Sequence, residues 1–250
     1  MTAPGREEAA GEEDGAAQLT HGIASAARSQ SMPLVLVGVA GAALAFVGLA
    51  AQVNGGSTRG VDVAILRWIR ATTGGDAATG GLRSLMLDFT ALGDTGTLTV
   101  FTVLVTGYML VSRRWRLALS VVAAIAGGAT LVVLLKGLFN RARPDVVTHL
   151  ADFHNASFPS GHAANSAVVY LTLAVLLARS ERAHATRIYL VAVGVAMTLA
   201  IGTSRLYLGV HWPTDVLGGW IVGGSWAALT GLLVRHAQHA HRIEDPREPA

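Results

Sequence analysis

No cysteine occurs anywhere in the 250-residue chain. That excludes disulfides, zinc–thiolate sites and cysteine nucleophiles. Charge is scarce as well, at 14% of the residues, against about 25% in an ordinary soluble domain. The net charge is only +3. That is too little to form a basic nucleic-acid surface, so no nucleic-acid partner is expected. Lysine is almost missing. Of 19 basic residues one is lysine, Lys136, and the rest are arginine. In so arginine-biased a chain, that lysine needs a reason.

What the chain has in excess is apolar residues, 52% of the total. They come in long blocks, which indicates an integral membrane protein. Residues 1–30 are the exception. Their "GREEAAGEEDGAAQ" is too polar to fold, so a disordered tail is expected. An acidic start with no apolar core does not read as a signal peptide. Six hydrophobic segments follow: Pro33–Gln52, Thr95–Val111, Leu117–Leu135, Ala163–Ala178, Ile188–Thr203 and Val216–Val234. A span needs about 20 residues. The fourth and fifth are slightly short, and Ser160–His162 can lengthen the fourth. Small residues inside the segments permit close helix contacts.

Between the first two segments, "VDVAILRWIRAT" puts Val61, Ile65, Trp68 and Ile69 on one helical face and Arg67 and Arg70 away from it. It is too short and too charged to span. It reads as an interfacial helix, or equally as an amphipathic loop helix packed on the bundle. The expected fold is therefore all-α: a polytopic membrane protein of six transmembrane helices with an additional interfacial helix. The six-helix domain covers residues 31–235, and residues 236–250 form a second tail.

Six spans put both termini on one side. The termini and the loops 112–116 and 179–187 hold eleven Lys and Arg, against eight in the other three loops. Positive residues collect on the cytoplasmic side. Both termini are thus expected in the cytoplasm, and the other loops outside the inner (plasma) membrane.

The unusual polar residues all fall in those outer loops. In "KGLFNRARP", Lys136 ends the third segment and Arg143 follows seven residues later. Two helical turns would return both cations to one face, with Pro144 ending the helix at Arg143. Snorkelling anchors are the ordinary alternative. Against it, every other anchor is arginine, and this side normally avoids positive charge. In "PSGH", Ser160 is placed to cap the fourth helix, Gly161 leaves backbone accessible and His162 sits in the first turn. Free N–H groups at a helix start bind anions. Alone, this is a cap next to an interfacial histidine. In "SRLYLGVHWPTD", Arg205 ends the fifth segment, His211 precedes the sixth, Pro213 opens it and Asp215 lies in its first turn. Asp215 suits the helix dipole. It is equally placed to accept a hydrogen bond from His211 and leave the other ring nitrogen to attack. Together the groups make an anion site with a nucleophile and an acid–base partner.

The ordered set Lys136-x6-Arg143-Pro144, Pro159-Ser160-Gly161-His162 and Ser204-Arg205-x5-His211-x3-Asp215 resembles the three-part signature of the type 2 phosphatidic acid phosphatase superfamily. The resemblance covers roughly residues 33–234, and "LDFTALGD" (Leu87–Asp94) adds a weaker likeness. It implies that His211 is a nucleophile forming a phosphohistidine, held in its reactive tautomer by Asp215. It implies that His162 protonates the leaving lipid alkoxide and then activates water. Lys136, Arg143, Ser160, Gly161 and Arg205 would bind phosphate, with no metal and no cofactor. The implied partners are the bilayer and a lipid phosphate or diphosphate: a polyprenyl diphosphate, phosphatidic acid or phosphatidylglycerophosphate. The fourteen-residue loop 145–158 leaves little room for a cap, so an opening toward the bilayer is expected.

Two alternatives use the same residues. One is a phosphotransferase that passes the phosphate to another lipid or sugar. The other is a non-catalytic lipid-binding or transport protein, disfavoured because the ionisable residues sit at span ends. Vanadate-using halide oxidation shares the signature but not six spans. His149 and His154 read as loop residues, Asp145 as a non-catalytic neighbour of Arg143, and His236, His239 and His241 as a solvated tail.

Overall fold

The computed structural model describes residues 32–73, 80–150, 156–181, 183–240 and 243. The expected tail at 1–30 lies outside them. The chain divides into two units, Met1–Gly38 and Val39–Ala250. Of the first, only the opening turns of helix α1 are described, and every site residue belongs to the second.

Nine α-helices follow one another among the described residues. They are α1 (Met32–Asn54), α2 (Arg59–Thr72), α3 (Gly81–Leu92), α4 (Thr95–Val111) and α5 (Trp115–Phe139). Then come α6 (Gly161–Ser166), a π-helical turn at Ala167–Leu171, α7 (Thr172–Ser180), α8 (His184–Tyr207) and α9 (Pro213–His239). Five of the continuous stretches are long and apolar enough to cross a membrane: α1, α5, the run Gly161–Arg179, α8 and α9. A sixth exists if α3 and α4, bent by 51° at their junction, count as one span. The second expected span, Thr95–Val111, keeps its bounds as α4, but its 17 residues reach membrane length only together with α3. Asp94 makes the bend. Its backbone is extended, and its carboxylate caps α4 by accepting the Gly96 N–H at 3.3 Å.

The other helices outrun the hydrophobic segments that announced them. Lys136 lies in the last turn of α5, Arg205 in the last turn of α8 and Asp215 in the first turn of α9. These charges ended the apolar runs in the sequence, yet all remain helical. One expectation needs correcting. The α5 helix stops at Phe139, not at Arg143. Asn140 adopts the left-handed conformation, φ 38°, and its N–H bonds the Lys136 carbonyl. Lys136 and Arg143 therefore do not share a helical face.

The segment α6–α7 runs through the middle of the bundle. Ala163, Ala164, Ser166, Ala167 and Val168 are all within 1% of complete burial. Helix α9 approaches it over glycines: a Cβ on Gly223 would lie 2.3 Å from the Ala164 carbonyl oxygen, and one on Gly219 2.7 Å from that of Ser160. Phe158 anchors the loop before α6. It is fully buried, stacked on Phe46 and edge-on to Phe139. Helix α2 keeps Asp62 and Leu66 buried while Val61, Ile65 and Trp68 face outward. One face of α2 thus packs on the bundle, as the packed-helix reading expects, while the apolar stripe turned outward is what an interfacial helix would offer to lipid.

Candidate active site

His211 and Asp215 sit on either side of Pro213, which opens α9. Both are essentially inaccessible. The Asp215 carboxylate is saturated with donors. Oδ2 accepts the Trp212 N–H at 2.8 Å and the Ser157 hydroxyl, and Oδ1 accepts Arg141 Nη1 at 2.6 Å. His211 Nε2 lies 3.4 Å from Arg143 Nη1. A guanidinium has only donors, so Nε2 presents its lone pair and the ring proton resides on Nδ1. That Nδ1–H faces Asp215 Oδ2 at 3.4 Å and Ser157 Oγ at 3.3 Å. Since Ser157 spends its own proton on Asp215, its oxygen is free to accept from Nδ1. Asp215 thus stands beside His211 as expected, with Ser157 relaying the contact. Burial lowers the His211 pKa to about 4, against the raising effect of Asp215. At neutral pH the ring is uncharged and its Nε2 lone pair is available.

The cations converge on the same spot. Burial lowers the Arg143 pKa, opposed by the charge of Asp215, and Arg143 Nη1 donates to the Val210 carbonyl at 2.7 Å. Lys136 Nζ donates to the Ala156 carbonyl at 2.7 Å, and its stem passes Gly161, where a Cβ would stand 3.3 Å from Lys136 Cε. Lys136 interacts electrostatically with Arg143, Arg205 and Asp215. His162 does so with Arg205, His211, Lys136 and Arg143. Arg205, fully buried, donates to the Thr90 hydroxyl. Ser160 is buried as the α6 cap, its hydroxyl 3.5 Å from the Ala163 N–H, while its own N–H donates to the Asp215 carbonyl at 2.9 Å. That bond ties the start of α6 to the start of α9. All eight sequence-predicted residues are therefore at one end of the bundle.

Four partners escaped the sequence reading: Ser157, Arg141, Asp62 and Thr90. Arg141 stands two residues before Arg143 and was masked by it. Asp62 lies on α2, nearly eighty positions earlier, and the one available signal was a lone carboxylate within the otherwise apolar and basic stretch "VDVAILRWIRAT". Thr90 sits in the "LDFTALGD" stretch, which also supplies the Leu92 carbonyl to the Tyr170 hydroxyl at 2.9 Å. His149 binds the Pro144 carbonyl through Nε2 at 2.6 Å, Asp145 pairs with Arg59 at 3.1 Å, and neither joins the site. His154 lies outside the described residues. Among those residues no three His, Cys, Asp or Glu side chains gather as a metal cluster.

Two histidines, a carboxylate and three cations at one end of a membrane bundle define a class: a membrane-embedded enzyme acting on an anion. The family model described as PAP2 superfamily matches residues 114–238, which contain all three motifs. Phosphatidylglycerophosphatase B of Bacillus subtilis is 35% identical over 57% of this chain and 70% of its own length. An undecaprenyl-diphosphatase of Sulfolobus acidocaldarius is 30% identical over 56% of this chain and 66% of its own length. The crystal structure of a transmembrane PAP2-type phosphatidylglycerolphosphate phosphatase from Bacillus subtilis superposes with a TM-score of 0.71 at 27% identity. It covers 79% of this chain and 96% of that one. The chain belongs to the PAP2 superfamily and is a membrane phosphatase.

Proposed function

We propose that the protein dephosphorylates a membrane lipid phosphate or diphosphate at the extracytoplasmic face of the inner membrane, through a phosphohistidine on His211. The observation that carries the reading is the orientation of His211. Its Nε2 lone pair points among cations, and its Nδ1–H is held from behind. In the first step Nε2 attacks phosphorus, and the bond from phosphorus to the lipid oxygen breaks. Lys136, Arg143 and Arg205 take up the charge on the phosphoryl oxygens. His162 gives its proton to the departing oxygen. In the second step His162 removes a proton from water, whose oxygen attacks phosphorus, and the N–P bond breaks to release phosphate. The substrate classes supported by the named relatives are phosphatidylglycerophosphate and polyprenyl diphosphate, with phosphatidic acid as a third candidate.

The test is phosphate release by purified full-length protein, without added metal, from detergent-dispersed polyprenyl diphosphate, phosphatidic acid and phosphatidylglycerophosphate. At least one is expected to turn over, and His211→Ala is expected to be inactive. Wild-type turnover in that variant removes His211 as nucleophile. A labelled second lipid in place of free phosphate indicates a transferase. Reporter fusions after Arg179 and Arg242 are expected to report cytoplasm, and an outside signal at either reverses the topology.

A further inference from the structure

Behind the nucleophile, Asp215 belongs to a closed polar cluster whose other members the catalytic scheme does not use. Arg141 bridges two carboxylates with two different nitrogens: Nη1 to Asp215 Oδ1 at 2.6 Å and Nη2 to Asp62 Oδ2 at 2.8 Å. Both carboxylates are fully buried, and Arg141 is 15% exposed. Thr214 completes the cluster. It accepts from Arg141 at 2.8 Å, and it donates its N–H to Asp62 Oδ1 at 3.0 Å and its hydroxyl to Asp62 Oδ2 at 2.8 Å.

Burying two carboxylates and a guanidinium costs desolvation energy that their pairing only roughly offsets. As a fastening between α2 and α9, an apolar contact would serve better. The sign of the cluster suggests why it is ionic. Arg141 alone would neutralise Asp215 and leave His211 beside an uncharged pair. With Asp62 sharing Arg141, the three groups carry a net charge of −1 next to Nδ1. Attack by Nε2 makes the ring cationic, and that surplus negative charge gains value only then. An interaction stronger in the transition state than in the ground state raises kcat and leaves KM alone.

We propose that Asp62 and Arg141 are positioning residues for phosphoryl transfer: helix α2 holds the Asp215 carboxylate in place and keeps it anionic, and Asp215 in turn sets His211. The proposal rests on His211 as the nucleophile. Asp62→Asn keeps an oxygen for the Thr214 N–H but turns Oδ2, which accepts from Arg141 Nη2 and the Thr214 hydroxyl, into an NH2 donor. The charge and the Arg141 contact are thus lost together, and the split between kcat and KM separates the proposal from a merely structural role. The assay uses whichever lipid of the panel above the wild type turns over fastest.

In Asp62→Asn kcat is expected to fall about tenfold, the worth of one charge-assisted contact made in the transition state. KM and inhibition by inorganic phosphate should stay within about twofold, because no phosphate-binding cation has moved. Arg141→Lys keeps the charge but loses the fork, and it carries the same measurement should Asp62→Asn not fold. Its kcat is expected to fall comparably, and the double variant to be no slower than the worse single one. Wild-type kcat in either folded variant, or a loss confined to KM, overturns the proposal. His211→Ala is the control: if it is inactive while both variants keep wild-type kcat, this inference fails alone. If it is active, or if no lipid of the panel turns over, the proposed function fails and takes this one with it.

Discussion

Helix α1 and the segment Gly161–Arg179 can both cross a membrane, yet only 6% of the apolar stretch of the first is buried inside the protein, against 61% of the second. Hydropathy runs the other way. The most hydropathic candidate span is α1, and Gly161–Arg179 is tied for the least. In water the ranking would be reversed. In a bilayer the surroundings are as apolar as leucine, so hydrophobicity does not drive a helix inward. What draws Gly161–Arg179 to the centre is small residues that let backbones touch and polar groups that need partners. Its first turn carries His162 and the Ser160 cap, and its alanines meet the glycines of α9. Helix α1 leaves Leu44 75% and Val47 63% exposed as a surface for lipid.

The comparison breaks most sharply at the buried end. His211→Ala is expected to lower kcat/KM at least about 10⁴-fold, and His162→Ala about 10²- to 10⁴-fold, the usual worth of an acid–base group. Steady-state phosphate release measures both. Gly223→Leu places side-chain carbon against the Ala164 carbonyl and should destabilise the bundle by more than about 3 kcal/mol. Thermal unfolding in detergent reads this as a collapse in midpoint or a failure to fold. A pH series sharpens the contrast further. The folded pKa of His211 is lowered to about 4, below its ordinary unfolded value. Between those two values the unfolded chain binds the extra proton. Stability is therefore complete above about pH 6.5 and declines as pH falls toward 4, by roughly 3 kcal/mol at most. His211→Gln should flatten that part of the profile. The smallest effect belongs to α1: Leu44→Ala should change stability by no more than about 0.5 kcal/mol. A loss of several kcal/mol there would mean that α1 is covered by protein and not by lipid.

Much of the site was legible because its chemistry is local. Proline at the first turn of α9, serine before α6 and histidine beside each are adjacent in the chain, and helix starts obey short-range rules. Span ends were less legible. Lys136, Arg205 and Asp215 interrupt the apolar runs, although a helix continues through a charge that another helix satisfies. The approach of Lys136 to Arg143 was right in outcome and wrong in route. Asn140 turns the chain before the second helical turn that periodicity required.

By itself the sequence determined that the chain is a helical membrane protein, and it singled out eight residues for the proposed phosphate chemistry. Composition, apolar run length and motif spacing are properties of one dimension. Only the tertiary structure decided what stands behind those residues. Asp62 and Arg141 lie 79 positions apart, and Thr90 and Arg205 lie 115 apart. Their meeting depends on how helices pack, and buried charges must find partners wherever the fold brings them.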